Sequence, residues 1–106
     1  MALSRPGEAR LVHIYEDCEV DYGVVNVSRG AGDTVEWASA CNSAFSIDFD
    51  GSPFEQAHFD VPAGGQCVSS GPLNSESRAP YAEYRYKIKN LTHPEYKSDP
   101  GVDVRK

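Results

Sequence analysis

The side chains of this sequence best suited to binding a metal or acting as nucleophiles are three cysteines and three histidines. They are widely spaced along the chain: Cys18, Cys41, Cys67, His13, His58 and His93. None forms a Cys-x-x-Cys or His-x-x-x-His pair, so the local spacing that marks a zinc site is absent. Cysteines outside such a pattern are more often small buried apolar residues.

One histidine has an aspartate two positions later in the sequence, a spacing that allows acid–base chemistry. His58 and Asp60 share a face if their segment is a strand, and an aspartate can orient a histidine that acts as a base. No Gly-x-Ser-x-Gly elbow, phosphate-binding loop or His-Glu-x-x-His motif accompanies them. The sequence favours an exposed structural pair, and a small enzyme built on His58 ranks last among the hypotheses.

The charge of the chain restricts its partners. Lys and Arg number 10 and Asp and Glu 16, a net charge of −6, which opposes binding to phosphate backbones and to anionic lipid. We therefore predict no nucleic-acid partner. No apolar run approaches the roughly 20 residues that cross a membrane, so no membrane insertion is predicted.

The carboxylates are densest in one short segment, which contains Glu16, Asp17, Glu19 and Asp21. Such a run is most often a solvated loop, but it can also be a docking patch that attracts a basic protein partner. Tyr81 and Tyr96 are expected at the surface, and tyrosine is enriched where proteins touch. These six residues are the predicted binding residues.

The cysteines also bear on location, because three of them cannot all pair within one chain. Free thiols are typical of a reducing compartment, and the first ten residues lack the apolar stretch of a secretory signal, so a cytoplasmic location is predicted. The alternative is a periplasmic or secreted protein whose signal was removed. A Cys41–Cys67 disulfide would then leave Cys18 unpaired.

Apolar residues alternate with polar ones in short segments, and no long helical period occurs. Strands are predicted at residues 11–15, 24–27, 33–38, 45–49, 57–61, 66–69, 84–88 and 102–104. The clearest is FSIDF at 45–49, where three large apolar side chains alternate with two polar ones. Residues 99–101, Asp-Pro-Gly, are predicted to form a turn.

Seven or eight short antiparallel strands in a chain of this length predict an all-β Greek-key sandwich. We expect one domain over residues 1–106, with the core in about residues 11–105 and residues 1–10 flexible. The last strand, residues 102–104, is expected at an exposed edge where another chain could pair with it, and lysines at Lys87, Lys89 and Lys106 could equally discourage such pairing.

Several segments, in their order along the chain, resemble those of the cupredoxin superfamily, the plastocyanin-like proteins. Ala-Gly-Asp-Thr-Val-Glu-Trp at 31–37 is similar to the family's x-G-D-T-V-x-W turn and strand, and FSIDF is similar to its His-x-Val-x-Phe strand. Tyr-Arg-Tyr at 84–86 resembles the strand that leads to the copper cysteine, and residues 99–104 resemble the closing strand. The resemblance implies a sandwich with a copper site at one end.

The copper ligands that the resemblance implies are missing. Phe45 takes the place of the first ligand histidine. Residues 87–96, where the family has a cysteine, a second histidine and a methionine, contain His93 but no Cys or Met. We therefore predict a domain without a blue-copper site and without a cofactor.

These observations predict a non-enzymatic cupredoxin-like domain that acts as a protein-interaction or ligand-binding module. The alternative is a metal-binding or electron-transfer protein that holds copper or zinc with rearranged ligands, drawn from Cys41, His58, Cys67 and His93.

Overall fold

The structure, a computed structural model, describes residues 8–28, 32–73 and 82–105. Within these ranges the chain forms nine strands and no helix, and so no helix that could cross a membrane. The strands are β1 (Ala9–Ile14), β2 (Val24–Ser28), β3 (Thr34–Ser39), β4 (Phe45–Phe49), β5 (His58–Val61), β6 (Val68–Ser69), β7 (Ala82–Asn90), β8 (Lys97–Ser98) and β9 (Gly101–Arg105). Tyr81 and most of the segment predicted to be flexible lie outside the described residues.

The strands form two sheets that enclose one core, which confirms the predicted all-β sandwich. One sheet has the order β1-β3-β6; the other has the order β2-β9-β7-β4-β5, with β8 also paired to β7. The prediction that all strands are antiparallel is wrong, because β1 pairs with β3, and β2 with β9, in parallel. The chain changes sheet between β1, β2 and β3, so β3 returns to the first sheet in the direction of β1.

The sequence pattern also misses β8 and misplaces a turn. β8 and β9 follow one edge of β7 in a single register, with Ser98 opposite Ile88 and Gly101 opposite Arg85. The turn predicted at residues 99–101 is therefore wrong. The ladder is interrupted there because Pro100 has no N–H to donate, although its carbonyl accepts a hydrogen bond from the Tyr86 N–H at 2.9 Å.

The expected exposed edge at residues 102–104 is wrong as well. β9 lies inside its sheet, between β2 and β7, and Val102 and Val104 are fully buried. Among the described strands, the ends of the two sheet orders are instead β1 and β6 in one sheet and β2 and β5 in the other.

Aromatic rings fill the space between the sheets. Trp37 on β3 lies 5.6 Å from Tyr86 and 5.1 Å from Phe59, measured between ring centroids. Its indole N–H donates a buried hydrogen bond to the Tyr86 hydroxyl at 3.2 Å. Burial raises the pKa of Tyr86 to about 12, so the hydroxyl stays protonated and neutral. The tryptophan of the x-G-D-T-V-x-W segment thus joins the two sheets.

The aspartate of the same segment fastens three strands together. Asp33 is buried, and its carboxylate accepts hydrogen bonds from the backbone N–H of Glu8 and of Ser28, each at 2.9 Å, and from Arg10 at 3.4 Å. Burial alone would raise the pKa of Asp33, but the two backbone donors and Arg10 outweigh it and lower the pKa. The carboxylate therefore ties the starts of β1 and β3 to the end of β2.

Candidate functional site

The end of the sandwich at which the resemblance places copper is assembled from four strands. β1 and β3 run in parallel and end there, and β7 ends where the antiparallel β4 begins, with Asn90 opposite Phe45. The loops at residues 15–20, 40–44, 62–67 and 91–96 lie at this end, which we call the loop end.

Phe45 occupies the position of the first ligand histidine. Its side chain is fully buried, and its register partners are Val61 on β5 and Asn90 on β7. A phenyl ring has no donor or acceptor for a metal, and it fills the end of the sandwich with packed carbon. The loop end is therefore continuous with the core.

Asn90 is the polar centre of the loop end. Its fully buried side chain donates from Nδ2 to the Glu16 carbonyl at 2.8 Å. Its Oδ1 accepts from the backbone N–H of Thr92 at 2.8 Å and of His93 at 3.0 Å. The amide thus joins the loop after β1 to the loop after β7, and both its oxygen and its nitrogen are already bonded.

Cys18 is a second link between the same two loops. It is buried, has a left-handed backbone with φ of 69°, and its thiol donates to the Tyr96 carbonyl at 3.2 Å. Burial raises the pKa of the Cys18 thiol, and nearby negative groups raise it further. A raised pKa disfavours the thiolate, the form that binds metals and attacks electrophiles, and the buried bond to the Tyr96 carbonyl links the two loops. Sequence reasoning assigned Cys18 no role, and no local pattern marks it.

The four residues of the alternative metal set are not gathered at one point. Cys41 is half-buried, with its Sγ 3.6 Å from Ser39 Oγ, while Cys67 is exposed at the loop end. His93 also lies at the loop end, but His58 lies on β5 near the far end of β4, opposite Asp48. All three cysteines are free, and the described residues contain no group of three or more His, Cys, Asp or Glu arranged to hold a metal.

His58 is exposed and held between two carboxylates. Its Nδ1 lies 2.6 Å from Asp48 and its Nε2 lies 2.9 Å from the predicted partner Asp60. The bonds to Asp48 and Asp60 raise the pKa of His58, since the doubly protonated ring donates to both carboxylates. No ring nitrogen is left to take a proton from a substrate. Sequence reasoning missed Asp48, which only the β4–β5 register places opposite His58.

The structure divides the acidic segment. Glu16 and Asp17 line a shallow depression together with Tyr15 and Tyr96. We call these four residues the acidic–aromatic surface. The surface contains two of the carboxylates and one of the tyrosines that were predicted to bind a partner. It also contains Tyr15, which sequence reasoning did not select.

The other two predicted carboxylates lie elsewhere. Glu19 lines a separate depression that also includes Val24 and Arg85. Asp21 is engaged by His13, whose backbone N–H donates to one carboxylate oxygen while its Nδ1 lies 2.9 Å from the other.

His93 supports the acidic–aromatic surface from one side. Its ring lies 5.9 Å from the Tyr96 ring in an edge-on arrangement, measured between centroids. Its Nε2 is 3.6 Å from Glu16 and its Nδ1 is 3.7 Å from Glu95. The histidine thus lies between Glu16, Glu95 and the ring of Tyr96.

Comparison with known proteins gives a likeness of fold. No protein-family model and no curated protein matches the sequence. A reduced amicyanin variant matches with 18% identity over 99% of this chain and 96% of its own, with a TM-score of 0.58. A purple cupredoxin from Nitrosopumilus maritimus matches with 13% identity over 90% of this chain and 98% of its own, with a TM-score of 0.56. The chain therefore has a cupredoxin fold.

The copper that this fold implies does not fit the residues of the loop end. The Phe45 side chain offers no ligand atom, Asn90 has its amide groups bonded, and the Cys18 thiol donates to the Tyr96 carbonyl. A blue-copper centre needs two imidazoles and a thiolate at one point. Among the described residues no such set is evident.

Proposed function

We propose that this cupredoxin-fold domain is a non-enzymatic protein-binding module, without a blue-copper site, that receives a basic partner on its acidic–aromatic surface. One observation carries the proposal: the loop end is closed by Phe45 and Asn90, and the same network presents Tyr15, Glu16 and Tyr96 side by side. Phe45 and Asn90 are buried in the loop end, whereas Tyr15, Glu16 and Tyr96 are exposed and able to contact a partner.

The composition of the surface suits protein recognition. Tyr15 is 46% exposed and Tyr96 is 40% exposed, so each has ring area to bury against a partner. Tyrosine offers a large apolar body with a polar tip and is enriched at interfaces. Glu16 and Asp17 add negative charge to a chain of net charge −6, which steers a basic partner towards the surface.

The surface is also held in place before a partner arrives. Asn90 bonds the carbonyl of Glu16, and Cys18 bonds the carbonyl of Tyr96, so both loops are fixed to the sandwich. A surface that is already ordered loses less conformational entropy on binding.

The second hypothesis is metal binding or electron transfer through rearranged ligands, and the likeness to amicyanin favours it. Cys41, Cys67 and His93 share the loop end, although His58 does not. Elemental analysis of the purified protein, with a visible spectrum after addition of copper(II), distinguishes the two hypotheses. Near-stoichiometric metal or an intense thiolate-to-copper absorption would contradict the proposed function.

The cytoplasmic location also stays a prediction, tested by fractionating cells that express the protein.

The binding proposal is tested by NMR titration with hexalysine, and with hexaglutamate as the charge control. We expect hexalysine alone to shift the amides of Tyr15, Glu16 and Tyr96, with binding that weakens as salt is added. The double variant Glu16→Gln, Asp17→Asn should weaken binding roughly tenfold.

The matched control is Asp50→Asn, Glu55→Gln, which removes the same charge from exposed residues at the opposite end of β4. It should leave hexalysine binding unchanged within about twofold. Equal weakening by both double variants would show that only net charge matters, and would refute a defined surface.

A further inference from the structure

β2 is a sheet edge without the features that usually protect an edge. Its sequence, Val24-Val-Asn-Val-Ser28, contains no charged residue and no proline. The other edges are protected: β6 and β8 have two residues each, β5 carries His58 and Asp60, and β1 carries Arg10 and His13. Natural sheets block edge pairing with short strands and charges, so an unprotected edge calls for an explanation.

The direction of the backbone groups follows from the parallel ladder with β9. The Gly101 N–H donates to the Gly23 carbonyl at 2.8 Å, and Val24 is the register partner of Gly101. Residues of a strand alternate in the side to which they direct both backbone groups, so Val25 and Val27 face β9. Val24 and Asn26 therefore direct their N–H and C=O groups away from the sheet.

Those outward groups have no partner in the part of the chain that the structure describes. Ser28 faces the same way, but its N–H and its carbonyl are both bonded to Asp33, at 2.9 and 3.1 Å. The open edge is thus a short one, with two donors and two acceptors at Val24 and Asn26.

A groove runs along this edge and meets β1 on its other side. Its lining includes Leu11 from β1, and Tyr22, Val24 and Asn26 from β2 and the segment before it. Leu11 is 37% exposed, Val24 44% and Tyr22 57%, so apolar side chains flank the open backbone groups. An extended segment laid in the groove would bond the edge and cover these side chains.

We propose that β2 is a docking edge for an extended segment of a partner protein, which adds as a strand beside residues 24–26. The segment has apolar residues at alternate positions and a basic residue at the end near Tyr22. Strand addition of this kind takes its affinity from main-chain hydrogen bonds and its selectivity from alternate side chains.

The charged residues around the groove indicate whether the end residue of the partner segment is basic or acidic. Asp21, which His13 contacts, adjoins Tyr22, and Glu19 lines the depression that shares Val24. Arg85 lines the same depression, but its guanidinium is paired with Glu83 at 3.3 Å. The cation in the groove, Arg10, is already paired with Glu8 at 2.8 Å and Asp33 at 3.4 Å. A basic segment is therefore favoured over a second copy of this chain, which carries −6 itself.

The test uses the synthetic peptide acetyl-KVTVKVT-amide, with the folded full-length protein followed by amide NMR and hydrogen exchange. Without peptide, we expect fast exchange at Val24 and Asn26 and slow exchange at Val25 and Val27. With peptide, Val24 and Asn26 should become protected. The same peptide with three consecutive central N-methyl groups, and the Glu-for-Lys peptide, should not protect them.

Two variants of one residue separate edge pairing from simple contact. Asn26→Pro removes the outward N–H while leaving the ladder with β9, a position where edge strands tolerate proline. It should weaken peptide binding about tenfold, whereas Asn26→Ala, which keeps the N–H, should not. Slow exchange at Val24 in the free protein, equal binding of the N-methylated peptide, or shifts confined to Tyr15 and Tyr96 would each overturn the proposal. The last result would leave the loop-end proposal standing.

Discussion

Replacing Asn90 with alanine tests whether one amide holds the loop end together. The side chain is fully buried and makes three hydrogen bonds, to Glu16, Thr92 and His93. Each such bond contributes about 1 kcal/mol net, and the loss of the amide also leaves a small void. We expect Asn90→Ala to lower the free energy of unfolding by about 3 kcal/mol, out of the roughly 5–15 kcal/mol typical of a domain.

The assay is equilibrium unfolding in urea, with Asn42→Ala as the matched control. Asn42 is exposed in the neighbouring loop, so the same substitution there should change the free energy of unfolding by less than about 0.5 kcal/mol. A loss below about 1 kcal/mol for Asn90→Ala would refute the role given to the amide. Binding of hexalysine should weaken in the same variant, because the loop that carries Glu16 loses its attachment.

Three further predictions concern the core and the outer face of the larger sheet. Tyr86→Phe leaves the buried Trp37 N–H without an acceptor and should lower the free energy of unfolding in urea by about 1–3 kcal/mol. Tyr22→Phe, at an exposed site, should leave it unchanged, and equal effects of the two variants would contradict the buried bond. The pKa of His58, followed by NMR, should lie above its ordinary value of 6.5 and should fall in Asp48→Asn. The contribution of His58 to stability is then complete below pH 6.5 and is lost as the pH rises through the folded pKa. An unchanged pKa in the variant would contradict the pairing. Lys89 and Lys97 are direct register partners, so Lys97→Glu should stabilise the protein by about 0.5 kcal/mol at low salt, and Lys97→Gln by less; no difference between the two would show that the lysines do not interact.

The strands and their inward faces were predictable from the sequence, because apolar residues at every second position indicate which side chains of a strand are buried. Phe45, Ile47 and Phe49 alternate with polar residues and all three point into the core. The neighbours of each strand were not predictable, since burial on one face says nothing about which strand lies alongside. Val102 and Val104 illustrate the limit: their alternation fits an edge strand and an interior strand equally well, and β9 is an interior strand.

The candidate site was predictable only where its residues are close in sequence or match the family pattern. Phe45 in place of a ligand was visible from the resemblance, and Glu16 and Asp17 from their density. Asn90 and Cys18 were not, because each acts through a contact with a residue far away in sequence. Asn90 bonds a carbonyl 74 residues earlier, and Cys18 bonds a carbonyl 78 residues later. No spacing rule covers such distances.

Phe45 and Asn90 together account for an ordered loop end in a cupredoxin fold whose described residues show no group arranged to hold a metal. A metal centre would join loops from different strands through its ligands, and that linkage has to be replaced if the loops are to keep one conformation. Here the phenyl ring supplies packing from within, while the amide and the Cys18 thiol bond the two loops from the side. Tyr15, Glu16 and Tyr96 are exposed at the outer surface beside these bonds. Under the proposed function, this hydrogen-bonded loop end presents a preformed surface that we expect to bind a partner protein.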